Sequence, residues 1–149
     1  MNSKNDIEPL RSLSKEEYEL LRWMFEHGSE DLRTFRPQLE SIRAARSCKC
    51  GCPSIRLDVP VGAPQGKDAG ETIVGDFAGK TQRGELVGVL LFQKAGRLIE
   101  LEVYSVDGQI KGDSSEFGLP LIESMTLIVW EPIPGRPEAK KSTNFPKNE

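Results

Sequence analysis

Residues 86–104 read LVGVLLFQKAGRLIELEVY, and this stretch decides the fold. Positions 86–92 are apolar on both alternating faces, as in a central strand covered on both sides. The short Lys94-Ala95-Gly96 link suits a hairpin. In the second arm, 97–104, Ile99, Leu101 and Val103 are expected to point one way, and Leu98, Glu100, Glu102 and Tyr104 the other. Two antiparallel neighbours therefore form the predicted centre of a sheet.

Further strands flank this pair. Ile55, Leu57 and Val59 alternate with Ser54, Arg56 and Asp58, the period of a half-buried strand. Residues 72–78 are another candidate, Asp107-Gly108 marks a turn, and MTLIVW at 125–130 reads as a final apolar strand. Residues 60–70 hold Pro60, Gly62, Pro64, Gly66 and Gly70 without an apolar period, which predicts a loop that moves.

The N-terminal third has a helical period instead. Ser14 followed three residues later by Glu17 is a capping box, with Leu13 placed to staple onto Tyr18. Tyr18, Leu21, Met24 and Phe25 then recur on one face until Gly28. Ser29-Glu30-Asp31 predicts a second cap, and Leu32, Phe35, Leu39 and Ile42 continue at helical intervals. Pro37 implies either a kink or a short turn followed by a new helix. The expected fold class is α+β: two N-terminal helices packed on one face of an antiparallel β-meander of about five to six strands. Residues 1–12 read as an N-terminal extension, 13–131 as a single domain, and 132–149, rich in proline and charge, as a flexible C-terminal tail.

Composition bounds the function classes. The chain has 149 residues, 37% apolar and 29% charged, with a net charge of -3, which suits one globular domain and gives no reason to expect nucleic acid. Its first ten residues, MNSKNDIEPL, lack the apolar run of a signal peptide or membrane span. Three cysteines within five residues cannot staple distant parts of a fold, so a reducing cytoplasm is expected. Monomer and homodimer are equally compatible with the sequence.

Cys48-Lys49-Cys50-Gly51-Cys52-Pro53 is the segment most able to carry chemistry. In an extended chain its sulfurs share a face, Gly51 lets the backbone curl, and Arg46 and Lys49 favour the thiolate. Thiolates bind zinc or copper(I), but structural zinc wants four ligands, and a fourth would have to be His27, Asp58 or a partner's residue. Small half-buried thiols at a strand end explain the cluster without a metal. His27, the single histidine, is likewise explained by its place in the last turn of a helix. Glu100 and Glu102 share a strand face and form a candidate acid–base pair, an exposed solvated face, or, with Tyr104, a contact surface. Residues 62–68, GAPQGKD, lack the spacing and hydroxyl of a phosphate loop.

Charge is also uneven. Residues 31–56 hold six basic side chains, including Arg43, Arg46 and Lys49, against two acidic ones, whereas 97–131 hold seven acidic against two basic. Such blocks are either solvated, mutually attracting faces or an interaction surface.

LSKEEYELLRWM, SCKCGCPSIRLDV and GRLIELEVYSVDG together resemble a group of small bacterial proteins of unknown function, over residues 13–108. The most specific string is CKCGCPS, and no activity comes with the resemblance. GRLIELEVYSVDG is also similar to the end of several small immunity proteins found beside bacterial toxin systems. The resulting expectation is a non-catalytic bacterial cytoplasmic domain that binds another protein, without nucleic acid or membrane. The alternative is a thiolate metal or redox protein built on Cys48, Cys50 and Cys52, and a hydrolase using Glu100, Glu102 and His27 is third.

Overall fold

The computed structural model describes residues 8–47, 51–66, 70–106, 117–132 and 139–143. Lys49, two of the three cysteines (Cys48 and Cys50) and the Asp107-Gly108 turn lie outside them.

Helix α1 (Lys15–His27) starts as its sequence requires. Ser14 Oγ accepts from the Glu17 amide at 3.1 Å, and the Ser14 amide donates to Glu17 Oε1 at 2.8 Å. Leu20, Leu21, Met24 and Phe25 are its buried stripe. Ser29 caps α2 (Glu30–Arg33), which lasts one turn, and a 3-10 helix, Arg36–Ser41, begins with Pro37 in its first turn. A proline lacks the amide that an interior helical position donates, so the second helix is broken here and is not continuous.

The sheet has eight strands, all pairs antiparallel: β1 (Arg11–Ser12), β2 (Arg43–Arg46), β3 (Ile55–Asp58), β4 (Glu71–Lys80), β5 (Leu86–Lys94), β6 (Arg97–Ser105), β7 (Thr126–Pro132) and β8 (Ala139–Thr143). Their spatial order is β1-β2-β3-β6-β5-β4-β7-β8. The α+β class stands, whereas the expected five to six strands and simple meander are corrected. Only β4, β5 and β6 run as a meander; β3 adds beside β6 and β7 beside β4, pairings between segments far apart in sequence. The uncounted strands give no apolar alternation: β1 is two exposed residues and β2 reads RAAR. β1 lies inside the stretch read as an extension, and β8 inside the one read as a tail. β8 forms through its ladder to β7, from Ile128↔Thr143 to Pro132↔Ala139.

The core lies between the helical segments and one face of the sheet. Leu20, Leu21, Met24, Phe25, Leu32, Phe35 and Leu39 join Leu57, Phe77, Val89, Leu91, Leu98, Leu101 and Val103 in one cluster. Gly75 of β4 faces this cluster: a Cβ there would lie 3.2 Å from Leu91 Cβ and 3.4 Å from carbons of Leu32 and Met24. The facing of Leu98 is a second correction. Phe92 pairs with Glu100 but Gln93 with Leu98, so Ile99 is an extra residue, a β-bulge. The bulge turns Leu98 into the core with Leu101 and Val103, leaving Glu100, Glu102 and Tyr104 on the outer face.

Two buried amides tie the layers together. Gln38, fully buried, donates from Nε2 to Pro64 O (2.9 Å) and Gly96 O (2.7 Å) and accepts from the Leu98 amide (3.1 Å). Gln93 accepts from the Gly96 amide (2.8 Å) and donates to Thr72 Oγ1 (2.8 Å). Ala95 and Gly96 make the hairpin turn with φ of 52° and 82°. Over its described part the Pro60 loop has no helix or strand and is held to the hairpin turn and to Phe35. Gly66 N donates to Gly96 O at 2.7 Å, and Phe35 packs so closely on Gly66 that a Cβ there would sit 2.4 Å from the ring.

Gln38→Leu keeps the volume but removes the Gln38 bonds to Pro64 O and the Leu98 amide and one of the two donors to Gly96 O, so it should lower the unfolding free energy by about 2–4 kcal/mol. Urea titration followed by circular dichroism measures this, and an unchanged midpoint would show that the amide is dispensable.

Candidate functional site

The cysteine segment lies in the sequence between the antiparallel strands β2 and β3, and residues 51–53 of it are described. The Ser47 amide donates to Ser54 O at 3.1 Å, and Gly51 adopts a φ of 96°, which an L side chain disfavours. Ser54 is buried and bridges to β6: its Oγ accepts from the Val103 amide at 2.8 Å and donates to Val103 O at 3.1 Å. Ser47 Oγ donates to Glu100 Oε2 at 2.9 Å. Two hydroxyls flanking the cysteines thus tie the facing ends of β2 and β3 to the strand that bears the paired glutamates.

Two hollows meet at this junction. The larger, about 740 Å³, runs along the first turns of α1 and is lined by Arg11, Glu17, Arg46, Cys52, Arg83 and Phe117 among others. The smaller, about 430 Å³, is lined by Ser47, Cys52, Ser54, Glu100, Glu102, Val103, Tyr104, Ser105 and Phe117. Cys52, Ser54 and Phe117 belong to both and form the ridge between them.

Ion pairs line the larger hollow. Arg11 grips Glu17 with two bonds, 2.8 and 2.9 Å, and so holds β1 to the start of α1. Arg46 pairs with Glu8 at 3.0 Å and Arg83 with Glu85 at 2.6 Å. Burial pushes the Glu17 carboxyl up, but the Arg11 hydrogen bond, the Ser14 amide and the Arg11 charge together outweigh it, so it lies below the usual glutamate range.

The smaller hollow opens on the outer sheet face. Gly88 lies opposite Tyr104, and the phenol packs on its backbone; a Cβ on Gly88 would be 2.2 Å from Tyr104 Cζ. Leu90 lies opposite Glu102 and Phe92 opposite Glu100, while Glu100 also pairs in register with Arg56 of β3. The row Ile73, Phe92, Glu100, Arg56, Ala45 thus crosses five strands on one face. Among the described residues, no side chain bonds to the Glu102 carboxylate or the Tyr104 hydroxyl.

The structure brings Cys52, Glu100, Glu102 and Tyr104 together and places Arg46 on the neighbouring hollow. Arg43 is exposed on β2 and reaches Leu10 O at 3.3 Å. His27 stands apart, in the last turn of α1, whereas the cleft holding Cys52 follows the first turns. Ten residues from Glu17 to His27 span about 15 Å of helix. His27 stacks on Trp23 at 4.2 Å and donates from Nδ1 to Trp23 O at 2.9 Å, the helix-end role its position suggests. Among the described residues, no group of three His, Cys, Asp or Glu side chains is placed to hold a metal. Phe117, Ser47, Ser54 and Arg56 were not legible as site residues, because only strand pairing across distant segments assembles them. No protein-family model, curated protein or solved structure matches the chain.

Glu17 stabilises the fold fully above the pH where an unfolded glutamate ionises, about 4.3, and the contribution is lost as pH falls through its lower folded value. Glu17→Gln should therefore lower stability at pH 7 and flatten the loss of stability below about pH 5. Urea midpoints across pH 3 to 7 test this; a variant with the wild-type acid slope would refute it. Gly88→Ala should displace Tyr104 and cost about 1–3 kcal/mol, and Tyr104→Ala in the same chain should relieve most of that cost. A thermal-melt cycle of the four proteins measures the coupling, and additive effects would exclude the contact.

Proposed function

We propose that this chain is a non-catalytic protein-binding domain of the bacterial cytoplasm, with inhibition or immunity as one form of its action. The observation that supports this most is the outer face of the central strands. It carries Ile73, Leu90, Phe92 and Tyr104 beside Glu100, Glu102 and Arg56, while the helices cover the opposite face. Ile73 is 52% exposed and begins the cross-strand row that runs through Phe92 to Glu100. Aromatic and apolar side chains rimmed by charge are the composition of a recognition surface, in which burial supplies affinity and charge supplies selectivity. His27 is engaged by Trp23 and lies away from the glutamates, which argues against the hydrolase reading. No described helix is long and apolar enough to cross a membrane.

A second reading, a thiolate metal or redox site on Cys48, Cys50 and Cys52, draws support from Cys52 sitting on the ridge between the two hollows. Stoichiometric zinc or copper in untagged protein, lost in Cys52→Ser, would favour it over the first.

For the binding function, the double variant Ile73→Ser/Phe92→Ser should keep its far-ultraviolet circular dichroism and lose, at least tenfold, its capture of partner protein from the native host at low salt. Capture unchanged by the double variant would overturn the assignment to this face.

A further inference from the structure

The smaller hollow has the chemistry of a receptor for one cationic side chain. Glu100 and Glu102 project from the same face of β6, and Tyr104 and Phe117 supply aromatic walls. Glu100 is held by Ser47 Oγ, which leaves its second oxygen without a described partner, and the Glu102 carboxylate and Tyr104 hydroxyl make no bonds among the described residues. Tyr104 is seated on Gly88 and needs no reordering to receive a ligand. Among the described residues, Arg56 stands opposite Glu100 in the ladder but forms no ion pair with it. Neighbouring Leu90, Phe92 and Ile73 extend the surface away from the hollow as an apolar strip.

From this geometry we infer that the hollow takes an arginine or lysine side chain of the partner protein, from a segment that lays an apolar residue over Phe92 and Ile73. The inference rests on the binding function proposed above and names the chemistry that this face selects. Two carboxylates offer oxygen acceptors to a guanidinium or ammonium group, and the phenol and phenyl rings attract a cation through their negative faces. Ser47 is engaged by Glu100 and Ser54 by the Val103 backbone, so an anionic ligand would meet repulsion from the two glutamates, with the Tyr104 and Ser105 hydroxyls as the unengaged neutral donors among the described lining residues.

A random dodecapeptide display library, selected against the full chain in low salt, tests both levels. Selected peptides should be rich in arginine or lysine. Their binding should weaken about tenfold in Glu102→Gln or Glu100→Gln, both isosteric and on the solvent side of the sheet, and about as much when salt is raised from 50 to 500 mM. Peptides that bind through the face, losing affinity in Ile73→Ser/Phe92→Ser, yet carry no basic residue and ignore both glutamine variants, would overturn this inference and leave the binding function standing. Failure to select any peptide sensitive to the face would overturn both.

Discussion

One buried amide joins every layer of this protein. Gln38 sits in the 3-10 helix after the broken second helix, yet its three hydrogen bonds go to the Pro60 loop, to Gly96 in the turn between β5 and β6, and to Leu98 of β6. A fully buried amide is costly unless its donors and acceptor are met, so the helical layer can dock in only one register against the hairpin. Gln93 repeats the device from inside the sheet, binding Gly96 and Thr72. Between them, the two glutamines hold the turn at Ala95 and Gly96, and with it the alignment of the central strands.

That alignment decides the outer surface. Because Ile99 is extruded as a bulge, Leu98 turns inward with Leu101 and Val103, while Glu100, Glu102 and Tyr104 keep the outward facing that alternation gives them. Ser47 and Ser54, at the facing ends of β2 and β3, bind the same strand. Core and candidate site are consequently two faces of one strand.

The two hollows meet where Ser47 and Ser54 join β2 and β3 beside β6. Cys52 borders both the ion-paired cleft along α1 and the acidic, aromatic depression beside Tyr104. In the first, Arg11, Arg46 and Arg83 pair with Glu17, Glu8 and Glu85 and knit the first strand and the turn after β4 onto the domain, while Glu16, Glu19 and Glu123 also line it. In the second, Glu100 and Glu102 stand beside Tyr104 and Phe117 with no arginine or lysine among the described lining residues.

The sequence by itself determined the elements whose causes are local. Ser14 and Glu17 cap α1 within three residues, Pro37 breaks the second helix by lacking an amide, and Ala95-Gly96 turns the central hairpin through its own dihedral angles. Alternation was enough to place β3 and to put Glu100, Glu102 and Tyr104 on one face. Only the tertiary structure decided the strand order, the inward turn of Leu98, the anchoring of the Pro60 loop and the meeting of Cys52 and Phe117 with the glutamates. Each of these depends on bonds between residues tens of positions apart, such as Gln38 to Leu98 or Ser54 to Val103. A glutamine or serine reads as solvent-exposed until its distant partner is known, because its polarity favours water equally well when no buried partner is in place.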